Sequence, residues 1–225
     1  MTDSPPAADL TDRFPGGVLR GDDDPMAARI LRAATGAIAE KGFNGTNIRD
    51  IGARGGMSSG SLYNHFGSKA DILATIALRG MIALVTASQS AKAEAGSDPR
   101  AQLDALVAMH VGIHAAHPRE SAIGNAELHN LDADSYAEVV AYRDRQEELF
   151  TSTIEQGVSQ GVFATDIPRE ASRFIIVACT GIARWYRPDG RTDIDTMIAR
   201  YQQLARSTVG ETSRQTMESP RSDLR

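Results

Sequence analysis

Asn47-Ile-Arg-Asp-Ile-Gly-Ala-Arg-Gly-Gly-Met-Ser-Ser-Gly-Ser-Leu-Tyr-Asn-His-Phe-Gly-Ser-Lys69 decides the fold of this chain. Ile48, Ile51 and Gly52 share one face at helical spacing, and Gly55-Gly56 ends that helix because glycine enters left-handed backbone geometry without steric cost. Met57 is the apolar residue that anchors the turn, and Ser58 is an N-cap for a second helix running to about His65. The pattern is a helix-turn-helix. In its second helix Leu62 and Phe66 face inward. Ser59, Gly60, Ser61, Tyr63, Asn64 and His65 are small or hydrogen-bonding, the side chains that let a helix lie close in a groove of DNA.

Charge agrees with that reading. Between Pro25 and Lys69 the basic residues Arg29, Arg32, Lys41, Arg49, Arg54 and Lys69 stand against Glu40 and Asp50, a net of +4, whereas the whole chain is −5 and the remainder therefore −9. A basic lobe on an acidic body fits a nucleic-acid reader with a separate second function. Asp24-Pro25 starts a bracing helix, with aspartate as cap and proline at the first helical position. Ile30, Leu31, Ala34, Ile38 and Ala39 continue it, and Gly42 stops it. Residues 1–24, with Pro5, Pro6, Pro15, Gly16, Gly17 and the run Asp22-Asp23-Asp24, read as a disordered arm too acidic to grip DNA. The polar stretch 211–225 reads as a disordered tail.

Two working domains are expected between these ends, a DNA-binding domain over 25–70 and an effector-binding and dimerisation domain over 71–210. From Lys69 onward the pattern is helical, with breaks near Gly96 to Pro99, His117-Pro118, Leu131 to Asp134, Gly161 to Pro168 and Pro188 to Thr192. No segment alternates as a strand, so the fold class is all-α with about nine helices. With 41% hydrophobic and 24% charged residues, the composition is that of an ordinary globular protein and excludes a wholly disordered chain. Cys179 is the only cysteine, so an internal disulfide is excluded; in its apolar run it reads as an inert small hydrophobe. The N-terminus carries no basic-then-apolar leader, and the apolar run near Phe174 to Cys179 is too short to span a bilayer. A cytoplasmic protein with no membrane partner is expected. Ala171 to Trp185 is apolar on more than one face, hence a central buried helix or a subunit interface, and Ala178 and Gly181 permit close helix approach. The last helix carries a stripe of Ile194, Met197, Ile198, Tyr201 and Leu204. One helix-turn-helix reads few bases, so a homodimer on palindromic double-stranded DNA is expected. Helical faces place Met81, Val85, Met109, Ile113 and Trp185 around a pocket for a hydrophobic effector.

On Phe43, Gly45, Thr46, Ile48, Ile51, Gly56, Met57, Ser58, Gly60, Leu62, Tyr63, His65, Phe66, Ser68 and Lys69, in order and spacing, the chain resembles the TetR family of transcriptional regulators over roughly residues 26 to 75. The resemblance implies a three-helix DNA-binding domain followed by a helical ligand-binding and dimerisation domain, a repressor with no cofactor. It implies that Thr46 and the helix start beside it at Asn47 and Arg49 lie at phosphates, as do Tyr63, His65 and Lys69, with Ser58 also in the DNA-binding set. Ser59, Gly60, Ser61 and Asn64 would lie nearest the bases. Two positions depart from the family pattern. Asn47 replaces a frequent threonine but still caps a helix. Gly52 replaces the usual alanine at a cost of about 1 kcal/mol, which predicts a softer helix.

Glu155 to Asp166 and Gly181 to Gly190, with Glu127, Leu128, Arg143 and the Trp185-Tyr186-x-Pro188-x-Gly190 pattern, resemble the branch of that family that responds to acyl-CoA thioesters in fatty-acid or steroid catabolism. This adds Glu127 and Arg143 to the pocket. The same residues have a plainer reading, with Gly157 and Gly161 as helix termini and Trp185 and Tyr186 as dimer-core aromatics. The competing functional readings are another ligand class, a drug-like apolar molecule or a metal, or a regulator that works through protein partners without an effector.

Two patterns mislead. Gly56-Met57-Ser58-Ser59-Gly60 matches a hydrolase nucleophile elbow, but an amphipathic helix precedes it where a buried strand is required, so no catalytic residue is assigned. His110 and His114 have the spacing at which two imidazoles share a metal, with His117, Glu127 and His129 as partners, yet Val111-Gly112 replaces the zinc-hydrolase glutamate. No metal site is assigned, and these histidines are expected either to be partly exposed or to line the pocket as hydrogen-bond donors.

Overall fold

Short polar caps set most of the helix starts in this protein. A computed structural model describes residues 7–19 and 23–211, in which eleven α-helices and no strand are found. Asp24 opens α2 (Pro25–Gly45) by accepting from the N–H groups of Met26 and Ala27. Asn47 opens α3 (Ile48–Gly55) through a reciprocal capping box with Asp50, Ser58 opens α4 (Ser59–Tyr63) and Ser68 opens α5 (Lys69–Glu94). Proline stands at the first position of α6 (Pro99–Ala116), α7 (Pro118–Ala126) and α9 (Pro168–Thr180). Asp132 and Asp193 cap α8 (Ala133–Ser159) and α11 (Ile194–Thr208). The two segments beyond those expected from the sequence are α1 (Ala7–Arg13) and α10 (Ile182–Trp185), the latter split from α9 at Gly181.

Two cores result. Ile30, Leu31, Ile38, Ile51, Leu62, Ile72, Leu73 and Ile76 form the first, joined by Ile123 from α7. Leu103, Leu106, Val107, Val111, Phe150, Ile154, Ile175, Ile182 and Ile198 build the second. Helix α5 belongs to both, through Ile72 to Ile76 at one end and Leu84 further along. At about 1.5 Å per residue it is a rod of roughly 39 Å. By length and composition it is also apolar enough to cross a membrane, unlike the short run singled out in the sequence. Here its buried residues pack on α6, α7 and α8.

The N-terminal segment differs from the disordered arm expected for 1–24. Over residues 7–19 it is a strap between the cores, because Leu10, Phe14 and Val18 recur every fourth residue and each is buried. Leu10 and Phe14 enter the second core and Val18 the first. The Phe14 ring lies on Gly112, where a Cβ would come within 2.2 Å of it. His117 Nε2 donates to the Phe14 carbonyl at 2.9 Å. Arg79 closes the strap, donating to Val18 O and pairing with Asp23 at 2.7 Å. The rest of the expected arm, at 1–6 and 20–22, and the expected tail from residue 212 lie outside the described residues.

Phe14→Ala is predicted to lower unfolding stability by roughly 3–5 kcal/mol in urea titration, as for a large buried aromatic. Unchanged stability would mean that the segment does not pack as a strap.

Candidate nucleic-acid interface and ligand cavity

The turn between α3 and α4 is built on glycine. Gly56 sits in the left-handed region (φ 61°, ψ 44°) and Met57 N–H closes onto Gly52 O at 2.9 Å. A Cβ at Gly52 would lie 2.7 Å from the Met57 carbonyl oxygen. The glycine expected to soften α3 is therefore what lets the turn fold back on the helix. Of α4 only Leu62 is buried; Gly60, Tyr63, Asn64 and His65 are exposed, and Ser59 and Ser61 are half-buried. Helix α4 ends at Tyr63, short of the expected His65, and Ser58 Oγ accepts from Ser61 N–H as its cap.

One expected phosphate contact is corrected and a second is constrained. Thr46 is 1% exposed and its hydroxyl donates to Ala37 O and Gly42 O, at 3.1 and 2.8 Å, so it locks the α2–α3 corner from within. Lys69 Nζ donates to Phe43 O and Thr46 O, both at 2.7 Å, and lies 4.0 Å from the centre of the Phe43 ring. Two of its three donors are thus committed inside the domain. The side chain of Asn47 is likewise occupied in the capping box.

Pairing also divides the basic residues. Lys41 is bound to Asp50 at 2.8 Å and Arg54 to Glu40 at 2.7 Å, each pair holding its carboxylate below the ordinary range. The positive excess is left on Arg29, Arg32, Arg49 and Lys69. Arg29 reaches the turn at Gly56 O, 3.0 Å away, while Arg32 and Arg49 are exposed with no ionic partner among the described residues. Arg29 and Arg32 were not expected at the interface; their i, i+3 spacing on the polar face of α2 was the available signal.

Away from this face, α5, α6, α8 and α9 enclose a cavity of about 330 Å³. Met81 and Leu84 supply part of the apolar wall, and His110, Gln146 and Thr180 are polar groups facing it; Arg143 stands at its edge. A small annex of about 50 Å³ extends it to Ile113 and the strap at Gly16. Of the expected pocket residues, Met81 and Arg143 line the cavity and Ile113 the annex. Met109 lines a different groove, beside Thr11 and Pro15. Val85 is buried at 3% exposure outside the lining, and Trp185, on α10, is 52% exposed to solvent. Glu127 is also elsewhere: its carboxylate accepts from Phe43 N–H at 3.1 Å and from Asn130 at 2.8 Å, tying the end of α7 to the first domain.

The sequence did not single out Gln146 or Thr180, although Gln146 follows Arg143 by one helical turn. His110 and His114 are 2% and 6% exposed, not at the surface, and their rings stack at 4.4 Å between centres with 5° between planes. Stacked faces do not converge lone pairs on a shared ion. His117 is turned to Phe14 and Glu127 to Phe43, so the five candidate ligands are dispersed. Burial drives both imidazoles toward the neutral form: His110 well below its ordinary value and His114 to about 4. Burial also raises the Cys179 thiol to about 12, leaving it protonated.

On α9 the side away from the cores exposes Phe174 at 64% and Val177 at 71%, with Leu204 of α11 at 61%. Large apolar side chains this exposed on adjacent helices mark a protein-contact face.

Comparison with known proteins follows the same division of the chain. Residues 30–76 match the family of bacterial regulatory proteins of the tetR type, and residues 96–209 match the tetracyclin repressor-like C-terminal domain. The HTH-type transcriptional repressor KstR2 of Rhodococcus jostii strain RHA1 is 32% identical over 200 residues, covering 88% of this chain and 93% of that protein. The ketosteroid transcriptional regulator KstR2 of Mycobacterium tuberculosis superposes with a TM-score of 0.77 at 24% identity, covering 85% of this chain and 98% of that one. AibR in complex with isovaleryl coenzyme A and operator DNA superposes with a TM-score of 0.73 at 21% identity, covering 83% of this chain and 100% of that one.

The buried imidazoles give a pH dependence. They bind no proton in the folded chain but do so once unfolded, near 6.5. Their contribution is intact above about pH 6.5 and falls toward pH 4, by about 1.4 kcal/mol per pH unit for each imidazole. Urea unfolding at pH 7 and pH 5 is expected to show this loss. A flat profile would mean that the two rings are solvated.

Proposed function

The chain belongs to the TetR family of DNA-binding transcriptional regulators, and from that premise we propose that it is a homodimeric, cytoplasmic repressor whose hold on a palindromic operator is relieved by an acyl-CoA thioester. Residues 25–70 read the operator and 71–210 bind the effector and dimerise. Arg29, Arg32, Arg49, Ser58, Tyr63 and His65 meet phosphates, while Ser59, Gly60, Ser61 and Asn64 approach base edges. The exposed face of Phe174, Val177 and Leu204 pairs with its copy, setting two α4 helices in successive major grooves, about 34–36 Å apart.

The observation that carries the regulatory part is that α7 serves both sites. Arg143, at the cavity edge, donates to Gly124 O and Asn125 Oδ1 of α7, at 2.7 and 3.2 Å. Ile123 of the same helix is buried in the first core, and Glu127 just beyond its end holds Phe43 N–H. An effector whose thioester or phosphate oxygens take the Arg143 donors removes an anchor of α7 and shifts Glu127 against the DNA-binding domain. Different effector affinities for the two arrangements are all that the switch requires. The KstR2 likeness and the fold shared with AibR, whose crystal holds isovaleryl coenzyme A and operator DNA, support this ligand class.

Fluorescence anisotropy on the DNA upstream of the protein's own gene, with a salt series and a panel of acyl-CoA thioesters, tests the proposal. Specific binding relieved by a thioester is expected; specific binding indifferent to all of them rejects the effector class. Glu127→Ala is expected to keep both operator and thioester affinity while losing relief, and intact relief would remove α7 from the mechanism. Arg49→Ala should lower the salt slope by about one phosphate contact. An unchanged slope would place Arg49 off the DNA.

A further inference from the structure

One wall of the cavity holds a polar cluster whose hydrogen bonds have assignable directions. His114 Nδ1 is 2.8 Å from the His110 carbonyl oxygen, which only accepts, so the proton is on Nδ1 and Nε2 keeps its lone pair. The Gln146 amide nitrogen lies 3.0 Å from Ser88 Oγ and 3.4 Å from His110 Nδ1. That makes His110 Nδ1 an acceptor and leaves its Nε2–H to donate to Thr180 Oγ1 at 2.9 Å.

After these bonds are counted, one buried acceptor remains without a donor and the second ring nitrogen of His114 is a further acceptor beside the cavity. Gln146 Oε1 is buried with no partner, on a side chain only 3% exposed. His114, whose Nε2 is the acceptor of that tautomer, lines both the cavity and its annex. The Thr180 hydroxyl, which receives the His110 proton, has its own proton free to donate. Beyond this cluster the lining is apolar at Met81, Leu84 and Ile176 and polar or charged at Asn125, Arg143, Glu147 and Arg173. A buried acceptor without a donor is costly, and a site built around one rejects ligands that cannot supply it.

From this we infer that the effector carries a hydroxyl group on its apolar body, seated among Gln146, His114 and Thr180. The inference rests on the acyl-CoA reading above and adds the feature that selects among thioesters. A hydroxyl donates to Gln146 Oε1 or His114 Nε2 and accepts from Thr180. A plain alkyl chain leaves Gln146 Oε1 without a donor. Turning the Gln146 carboxamide over exchanges its free acceptor for a free donor but does not change His114 Nε2, so a group that both donates and accepts is still the one that fits.

Isothermal titration of the full-length protein with octanoyl-CoA and ω-hydroxyoctanoyl-CoA, together with the hexanoyl and decanoyl pairs, tests this. Several lengths are needed because the hydroxyl must reach the polar cluster. At the length that reaches, the hydroxylated member is expected to bind roughly tenfold tighter, the increment of about one hydrogen bond. Gln146→Leu should bring that ratio close to one while operator binding persists, and His114→Phe should reduce it. Equal affinities within every pair, or a preference that survives both substitutions, would overturn the hydroxyl site and leave the acyl-CoA reading standing. Wild-type protein that binds operator but none of the six thioesters would overturn both.

Discussion

The backbone groups released where α2 breaks at Gly42 must find partners, and the way they do so fixes the DNA-binding domain on the rest of the molecule. Gly42 takes φ 72° and ψ 165°, outside helical geometry and in the positive-φ range that favours glycine. One residue later, Phe43 presents its N–H to Glu127 from the end of α7 and its carbonyl to Lys69 from the start of α5. Lys69 also takes the Thr46 carbonyl, and the Thr46 hydroxyl returns to Gly42 O. The end of α7 and the start of α5 thus meet at one interrupted helix. Buried backbone groups are satisfied almost without exception, so this junction is held by necessity and ties α7 and α5 to the helix-turn-helix.

The second core runs against expectation in a complementary way. A packed helical domain gains most from apolar interior surfaces, yet here His110, His114, Gln146, Ser88 and Thr180 occupy its middle. Neutral imidazoles and an incompletely satisfied carboxamide are poor structural choices where leucine would pack. Their position against a cavity gives the arrangement a rationale: the stability sacrificed there serves the chemical selectivity inferred above. Arg143 extends the same logic to the cavity edge, being half-buried and held by a carbonyl and an amide oxygen without a carboxylate.

Much of this was legible beforehand, for identifiable reasons. The turn glycines, the caps at Asp24, Asn47, Ser58 and Ser68, and the proline-led helix starts act over three or four residues, so sequence spacing reports them directly. The misreadings share one cause. Lys69 and Thr46 have the chemistry of phosphate ligands, but their partners are main-chain carbonyls brought near by folding. Glu127 and Trp185 were placed in the pocket by resemblance and helical face, although the former is turned toward α2 and the latter toward solvent. The strap was overlooked because its prolines, glycines and aspartates dominated its composition, although Leu10, Phe14 and Val18 already had helical spacing.

The sequence by itself determined the all-helical architecture and the helix-turn-helix, since periodicity, capping and glycine geometry are local properties. Tertiary structure decided which cations remain unpaired, which polar side chains are buried together, and which helix touches both sites. Those facts depend on residues far apart in the chain, as Phe43 with Glu127, Phe14 with Gly112, and His110 with Gln146 and Thr180, and no local pattern encodes the distance between them.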